Sequence, residues 1–185
     1  MRQVAERLGH TIHERETALP VRGLATRNAL GGHIVLVASG YAARDEFTVA
    51  HELMELHIPS EWRTQLTEDF KERLCDRGAA ALLLPASAFR KSVKLLEGEL
   101  PALRRQWRHA SWDVIARRLV DVGMVSTAAA WDSLELRWRY GGDGHALEEE
   151  ALGRVYAGRG AARVGGVRAW RLGGAGLGRA VSVGR

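Results

Sequence analysis

Two helices are predicted in the first half of the chain. Apolar side chains recur every three or four positions between residues 44 and 57, at Phe47, Ala50, Leu53 and Met54. This helix should end near His57, because the residue before Pro59 disfavours helical backbone. The second helix should begin after Thr67, whose side chain can cap its first turn, and it runs through an apolar stretch to Pro85.

The remaining pattern predicts an α+β fold. Alternation of apolar and polar residues predicts strands over residues 10–15 and 33–38, and alternation returns over residues 134–140. Helical spacing or capping predicts further helices over residues 86–97, 103–107 and 112–122, and a short one from Ser126 to Trp131. We therefore expect a small N-terminal sheet packed on the helix over residues 44–57, followed by a helical C-terminal half.

Composition predicts a cytoplasmic protein with one main domain. The chain has 185 residues, 46% of them hydrophobic and 26% charged, which is ordinary for a soluble fold. The longest apolar run, residues 78–86, is too short to span a bilayer, and the N-terminal residues contain no apolar core of a signal peptide. Cys75 is the only cysteine, so an internal disulfide is excluded.

The net charge of +5 is concentrated at the C-terminus. Residues 151–185 contain seven arginines, no acid and ten of the 21 glycines, so residues 1–150 have a net charge of −2. The composition predicts a domain over residues 1–140 and a Gly/Arg-rich basic tail over residues 141–185. The tail should be flexible or form a small β-hairpin of residues 167–172 with 180–183, and its arginines could make weak contact with nucleic acid.

The first predicted helix presents a pattern typical of a metal site. His51 and Glu55 are four residues apart, about 40° around a helix, so both side chains can point at one ion. Glu52 lies beside them, where a glutamate acts as general base on the attacking water in the HExxH zinc helix. Here Glu55 replaces the second histidine, and a carboxylate is also a ligand of zinc or of manganese.

Several segments resemble the ImmA/IrrE family of metallopeptidases. Residues 47–53 (FTVAHEL) are similar to the metal-binding helix of that family. Residues 72–85 resemble its second motif, in which a glutamate precedes a small residue, Asn or Asp, and an apolar helix ending in proline. Residues 31–37 and 111–123 resemble its edge strand and a later helix. The resemblance covers roughly residues 1–132.

The resemblance assigns roles by position. His51 and Glu72 match metal ligands, Glu52 matches the catalytic base, and Glu55 lies where the family has its second histidine ligand. Two other positions depart from the family: Met54 replaces its usual glycine and Gly78 its usual phenylalanine.

The family would imply a zincin-like fold and a zinc-dependent endopeptidase, with manganese as an alternative metal. Its substrate would be a regulatory protein, such as a separate helix-turn-helix repressor that controls stress-response genes. The Glu55 replacement supports an alternative, a catalytically inactive module of protease origin that binds a repressor or other protein partner.

Other candidate residues have two interpretations each. His57 could be a rescuing ligand or a surface or capping histidine, and Tyr41 could stabilise an oxyanion or pack in a loop. Cys75 fits a buried core thiol better than a ligand or nucleophile. The two predicted helices between Ser111 and Trp131 could form a helix-turn-helix, although the second carries no basic residue to contact phosphate.

Overall fold

Contacts within the chain divide it into two units. The computed structural model describes residues 1–15, 22–28, 31–132, 135–142, 146–172 and 179–184. Unit 1 comprises residues 1–85 and 107–111, and unit 2 comprises residues 86–106 and 112–185. This division does not follow the boundary at residue 140 that composition suggested. The reason is that a strand of the Gly/Arg-rich segment pairs with a strand that precedes residue 140.

Unit 1 contains four helices and a three-stranded sheet among its described residues. The helices are α1 (Arg2–Arg7), α2 (Ala42–His57), α3 (Ser60–Arg63) and α4 (Glu68–Leu83). The strands are β1 (Thr11–Arg15), β2 (Gly23–Asn28) and β3 (Gly31–Val37), in the order β1-β3-β2. β1 is parallel to β3, and β2 is antiparallel to it. The helices and strands predicted in this region are present, whereas β2 was not predicted.

The core of unit 1 joins the sheet to α2. Alternate residues of β3, Ile34 and Leu36, are fully buried. They cluster with Val49, Leu53 and Leu56, which recur at helical spacing along α2. The alternation of the strand and the period of the helix therefore fix which face of α2 is left for polar residues.

Side chains also fix the ends of the two long helices. Arg27 Nη2 donates to the Leu56 carbonyl at 2.6 Å, and Arg63 Nη2 donates to the Glu55 carbonyl at 2.6 Å. Both cations meet carbonyl groups of the last turn of α2, at its negative end, where the Glu55 carbonyl also accepts from the Ile58 N–H at 3.2 Å. The predicted cap of α4 is confirmed, because the Phe70 N–H donates to Thr67 Oγ1 at 3.3 Å.

Unit 2 is built on a five-stranded antiparallel sheet in the order β5-β4-β8-β7-β6. The strands are β4 (Thr127–Asp132), β5 (Glu135–Gly141), β6 (Ala161–Val164), β7 (Val167–Arg171) and β8 (Arg179–Gly184). The helices are α5 (Ala86–Leu95), α6 (Leu100–Gln106), α7 (Trp112–Asp121) and α8 (Ala146–Arg154), with a π-helical turn at Val155–Arg159. Apolar residues of α8, such as Leu152, pack on the sheet against Val167 and Ala169.

This sheet corrects three predictions. The C-terminal half is not wholly helical, because most of the described residues after residue 126 form a sheet whose apolar side chains pack with α8. Residues 127–132 form β4 between β5 and β8 and are not a helix. The helix-turn-helix interpretation of residues 111–131 is wrong for the same reason. The suggested pairing of residues 167–172 with 180–183 is present, as β7 with β8.

The two units together give a mixed α+β fold. Within the described ranges, no helix is long and apolar enough to cross a membrane.

Candidate metal centre

His51 lies between two carboxylates of α4. Its Nδ1 is 2.9 Å from Asp76 Oδ1, and its Nε2 is 3.4 Å from Glu72 Oε2. Glu72 and Asp76 are four residues apart and therefore share one face of α4. Two ligand atoms each about 2.0–2.2 Å from a tetrahedral ion lie roughly 3.3–3.5 Å apart. The separation of the His51 and Glu72 atoms thus fits a pair of ligands to one ion.

The electrostatic environment of His51 favours a cation between these carboxylates. Burial lowers the pKa of His51, but the hydrogen bond to Asp76 and the charges of Asp76, Glu52 and Glu72 outweigh it, so the pKa is raised overall. In the absence of a metal, the protonated ring can donate from Nδ1 to Asp76 and face Glu72 with Nε2. A metal ion at Nε2 would replace that proton.

Glu52 is a buried carboxyl with a strongly perturbed pKa. Its exposed fraction is 7%. Its pKa is raised to about 7, chiefly by burial and further by the charges of Glu55 and Glu72. The His51 charge and a hydrogen bond from the Ala25 backbone lower the pKa and only partly offset this rise. Gly23 of β2 makes this position possible, because a side chain there would collide with Glu52 Oε1 and with Thr48. A carboxyl with a pKa near 7 can exchange a proton with water at neutral pH.

Glu55 is the third candidate ligand, on α2 one turn after His51. It is half-buried, and its charge helps to raise the pKa of Glu52. Burial raises the pKa of the Cys75 thiol to about 12, and the Glu55 charge is the second contribution to that rise. Over the described part of the chain, however, no three His, Cys, Asp or Glu side chains are arranged as a metal-binding group. The structure brings His51 and Glu72 together and leaves a third ligand to be supplied.

Asp76 is a functional candidate to which the sequence reasoning gave no role. It accepts a hydrogen bond from His51 Nδ1, which leaves Nε2 as the nitrogen available to an ion. Metal-binding histidines commonly donate their second ring N–H to a carboxylate in this way. The available signal was the spacing of Glu72 and Asp76, which puts two carboxylates on one helical face.

Met54 of α2 and Gly78 of α4 lie against each other. A Cβ added to Gly78 would lie 2.6 Å from Met54 Cε and 2.8 Å from its Cγ. The methionine of α2 therefore occupies the space that a side chain at position 78 of α4 would need. The large side chain at position 54 and the missing one at position 78 complement each other in volume, so that α2 and α4 have a filled interface here.

The remaining candidates have structural contacts. His57 is exposed, and its Nδ1 donates to the Leu53 carbonyl at 2.8 Å, which places it at the end of α2. Cys75 is 1% exposed, and its raised pKa keeps it a thiol. Tyr41 is 53% exposed at the start of α2. None of these observations adds a ligand to the His51–Glu72 pair.

Comparison with known proteins identifies the fold but no family. No family model matches the chain, and no curated protein matches it. A solved structure described as a Mycobacterium tuberculosis transcriptional regulator is similar to it, with a TM-score of 0.71 and 15% sequence identity. The similarity covers 98% of this chain and 67% of that one. At this identity it shows a shared α+β architecture.

Proposed function

We propose that this protein is a metal-dependent endopeptidase with a zincin-like site, and that His51, Glu55 and Glu72 hold the ion. The observation that carries the proposal is the 3.4 Å separation of His51 Nε2 and Glu72 Oε2 next to the buried carboxyl of Glu52. Zinc suits a histidine with carboxylates, and manganese also accepts such ligands.

Asp76 and Glu52 would have different roles in the proposed reaction. Asp76 holds the His51 ring through Nδ1, which leaves Nε2 as the atom that would hold the ion. Glu52, with a pKa of about 7, accepts a proton from the attacking water and passes it to the leaving amine. The metal, when bound, supplies Lewis-acid polarisation of the peptide carbonyl.

The substrate we propose is a regulatory protein, such as a helix-turn-helix repressor encoded separately. This part of the proposal rests on the resemblance of residues 47–53 and 72–85 to the ImmA/IrrE family.

A second candidate is a module that binds such a repressor without cutting it. It is favoured by Glu55, which replaces a histidine, and by the lack of a three-ligand group in the described ranges. Metal content separates the two candidates, because a binding module does not need a stoichiometric ion.

The test combines metal content with proteolysis. After reconstitution, elemental analysis should find about one zinc or manganese ion per chain, and mass spectrometry should detect cleavage of a candidate repressor. Glu52→Gln should abolish cleavage while nearly retaining the ion, since Glu52 moves a proton and does not hold the metal. Glu6→Gln, at an exposed position of α1, is the matched control and should cleave normally.

The outcomes distinguish the candidates. Repressor binding with neither metal nor cleavage would replace the enzyme with the binding module. Loss of the ion in Glu52→Gln would make Glu52 a ligand and refute its role as the base.

A further inference from the structure

His13 and His33 lie side by side on two adjacent strands of the sheet in unit 1. β1 runs parallel to β3 in a register that puts Thr11 opposite His33. Ile34, which follows His33, is buried in the cluster shared with α2, and Ile12, which precedes His13, packs against the same cluster. Because successive side chains of a strand point to opposite faces, both histidines lie on the face turned away from α2. His13 is exposed there and His33 is half-buried.

The two imidazole rings meet through one nitrogen of each. His13 Nε2 lies 3.3 Å from His33 Nδ1, and the ring planes are 24° apart. Without a metal, one of these nitrogens donates a hydrogen bond and the other accepts it, because a neutral imidazole has one N–H and one bare nitrogen. Two nitrogens each about 2.0–2.1 Å from a tetrahedral ion lie roughly 3.3–3.4 Å apart. The separation of the two nitrogens therefore also fits a pair of ligands to one ion.

The face around this histidine pair carries no carboxylate on the described strands. By alternation, the residues beside the pair are Thr11, Arg15, Leu24, Thr26 and Val35. Imidazole nitrogens without carboxylates suit copper, nickel or zinc, whereas magnesium and calcium prefer oxygen ligands. No third His, Cys, Asp or Glu joins the pair within the described ranges, so water would fill the other coordination positions.

We propose that His13 Nε2 and His33 Nδ1 form a second metal site, which binds one divalent transition-metal ion such as copper or zinc and links β1 to β3. The site shares no residue with the candidate metal centre and does not rest on the proposed enzyme. Its two ligands are 20 residues apart in the sequence, so only the folded chain holds them together. An ion that binds only the folded state stabilises it. Copper should bind more tightly than zinc, in the usual order for divalent metals.

The test uses full-length protein carrying His51→Ala, which removes the nitrogen ligand of the candidate centre. Zinc chloride and copper chloride are titrated calorimetrically, and about one ion per chain should bind. His13→Gln and His33→Gln, each added to this background, should weaken binding at least about tenfold, because losing even a hydrogen-bond partner of a ligand costs about 10–100-fold. The matched control His57→Gln removes another exposed histidine of the same unit and should bind as the parent protein does.

Two further measurements report on the site directly. In nitrogen NMR of the imidazole rings, zinc should shift the signals of His13 Nε2 and His33 Nδ1 together, in wild type as well as in His51→Ala. The wild-type spectrum keeps the test valid should His51→Ala fail to fold. In urea unfolding, zinc should raise the free energy of unfolding of His57→Gln but not that of His13→Gln, both in the His51→Ala background.

Every outcome decides for or against the second site. Loss of the ion in both His13→Gln and His33→Gln, with binding retained in His57→Gln, supports it. Binding unchanged in either pair variant, an equal loss in His57→Gln, or no zinc-dependent shift of the two nitrogens overturns it and leaves a hydrogen-bonded pair only. The ion of the candidate centre is measured separately with His51 present, so the two proposals fail independently.

Discussion

Replacing Glu52 with glutamine should change how the stability of the metal-free protein depends on pH. The folded pKa of Glu52 is raised from its ordinary value of 4.5 to about 7. Its contribution to stability is therefore fully present below pH 4.5 and is lost as the pH rises through 7, where the folded protein must hold a buried charge. The glutamine side chain has nearly the same shape as that of glutamate and does not ionise, so the variant lacks this loss.

The size of the effect follows from the pKa. The rise from 4.5 to about 7 corresponds to about 3 kcal/mol at full weight. Screening reduces it, because water weakens the field of the exposed Glu72 carboxylate, whereas the attraction of the His51 cation has already lowered this pKa. We expect wild type to lose about 1–2 kcal/mol relative to Glu52→Gln between pH 5 and pH 8.

Urea unfolding in the presence of a chelator measures this difference. The free energy of unfolding is determined at pH 5, 6, 7 and 8 for wild type, for Glu52→Gln and for the surface control Glu6→Gln. Wild type and the control should show parallel pH profiles, while the gap to Glu52→Gln grows with pH. A gap that stays constant would refute the argument, because Glu52 would then titrate alike in the folded and unfolded states.

Three further predictions concern the neighbours of Glu52. Asp76→Ala should weaken zinc binding, measured by calorimetry, by about 10–100-fold because His51 loses its orienting partner. The control Asp69→Ala, at an exposed position of α4, should bind zinc as wild type does. Equal losses of affinity in the two variants would contradict the orienting role of Asp76. Glu55→His should bind zinc more tightly than wild type, and equal or weaker affinity would favour the binding module. Gly78→Ala should stabilise a Met54→Ala protein by about 1 kcal/mol, because alanine has the higher helix propensity. In wild type the same substitution should give no gain, because the new methyl group is crowded by Met54. If urea unfolding shows that the two substitutions change the free energy of unfolding additively, the contact is excluded.

The parts of the fold that could be predicted are those set by local signals. Thr67 caps α4 as predicted, and α2 ends at His57, just before Pro59. Both ends depend on backbone chemistry within a few residues, which a sequence displays directly.

Strand β4 could not be predicted because its local signal contradicts its environment. Three successive alanines, residues 128–130, favour a helix by intrinsic propensity. In the structure they are buried between β5 and β8, and β8 comes from residues about 50 positions later. Packing of distant residues decides the conformation here, and the same packing gives the Gly/Arg-rich segment its strands.

The candidate site was predictable to the extent that a helix fixes which of its own residues share a face. Spacing placed His51 with Glu55, and the resemblance added Glu72. Spacing within α4 also placed Asp76 beside Glu72, but not the rotation that turns this face towards His51. That rotation is set by how α2 and α4 pack, which involves Met54 and Gly78.

The contact between Met54 and Gly78 bears on the choice between the enzyme and the binding module. If the chain derives from the family that it resembles, a module that no longer needs its metal would accumulate changes on both helices independently. Here the long side chain of Met54 faces Gly78, which has no side chain. The two helices that carry His51 and Glu72 can therefore pack closely enough to bring these residues together. Selection for packing alone could keep that spacing, but it would not require the buried carboxyl of Glu52, which destabilises the metal-free protein near neutral pH. A position that is costly to stability and adjacent to the two proposed ligands favours the enzyme among the two functions proposed above.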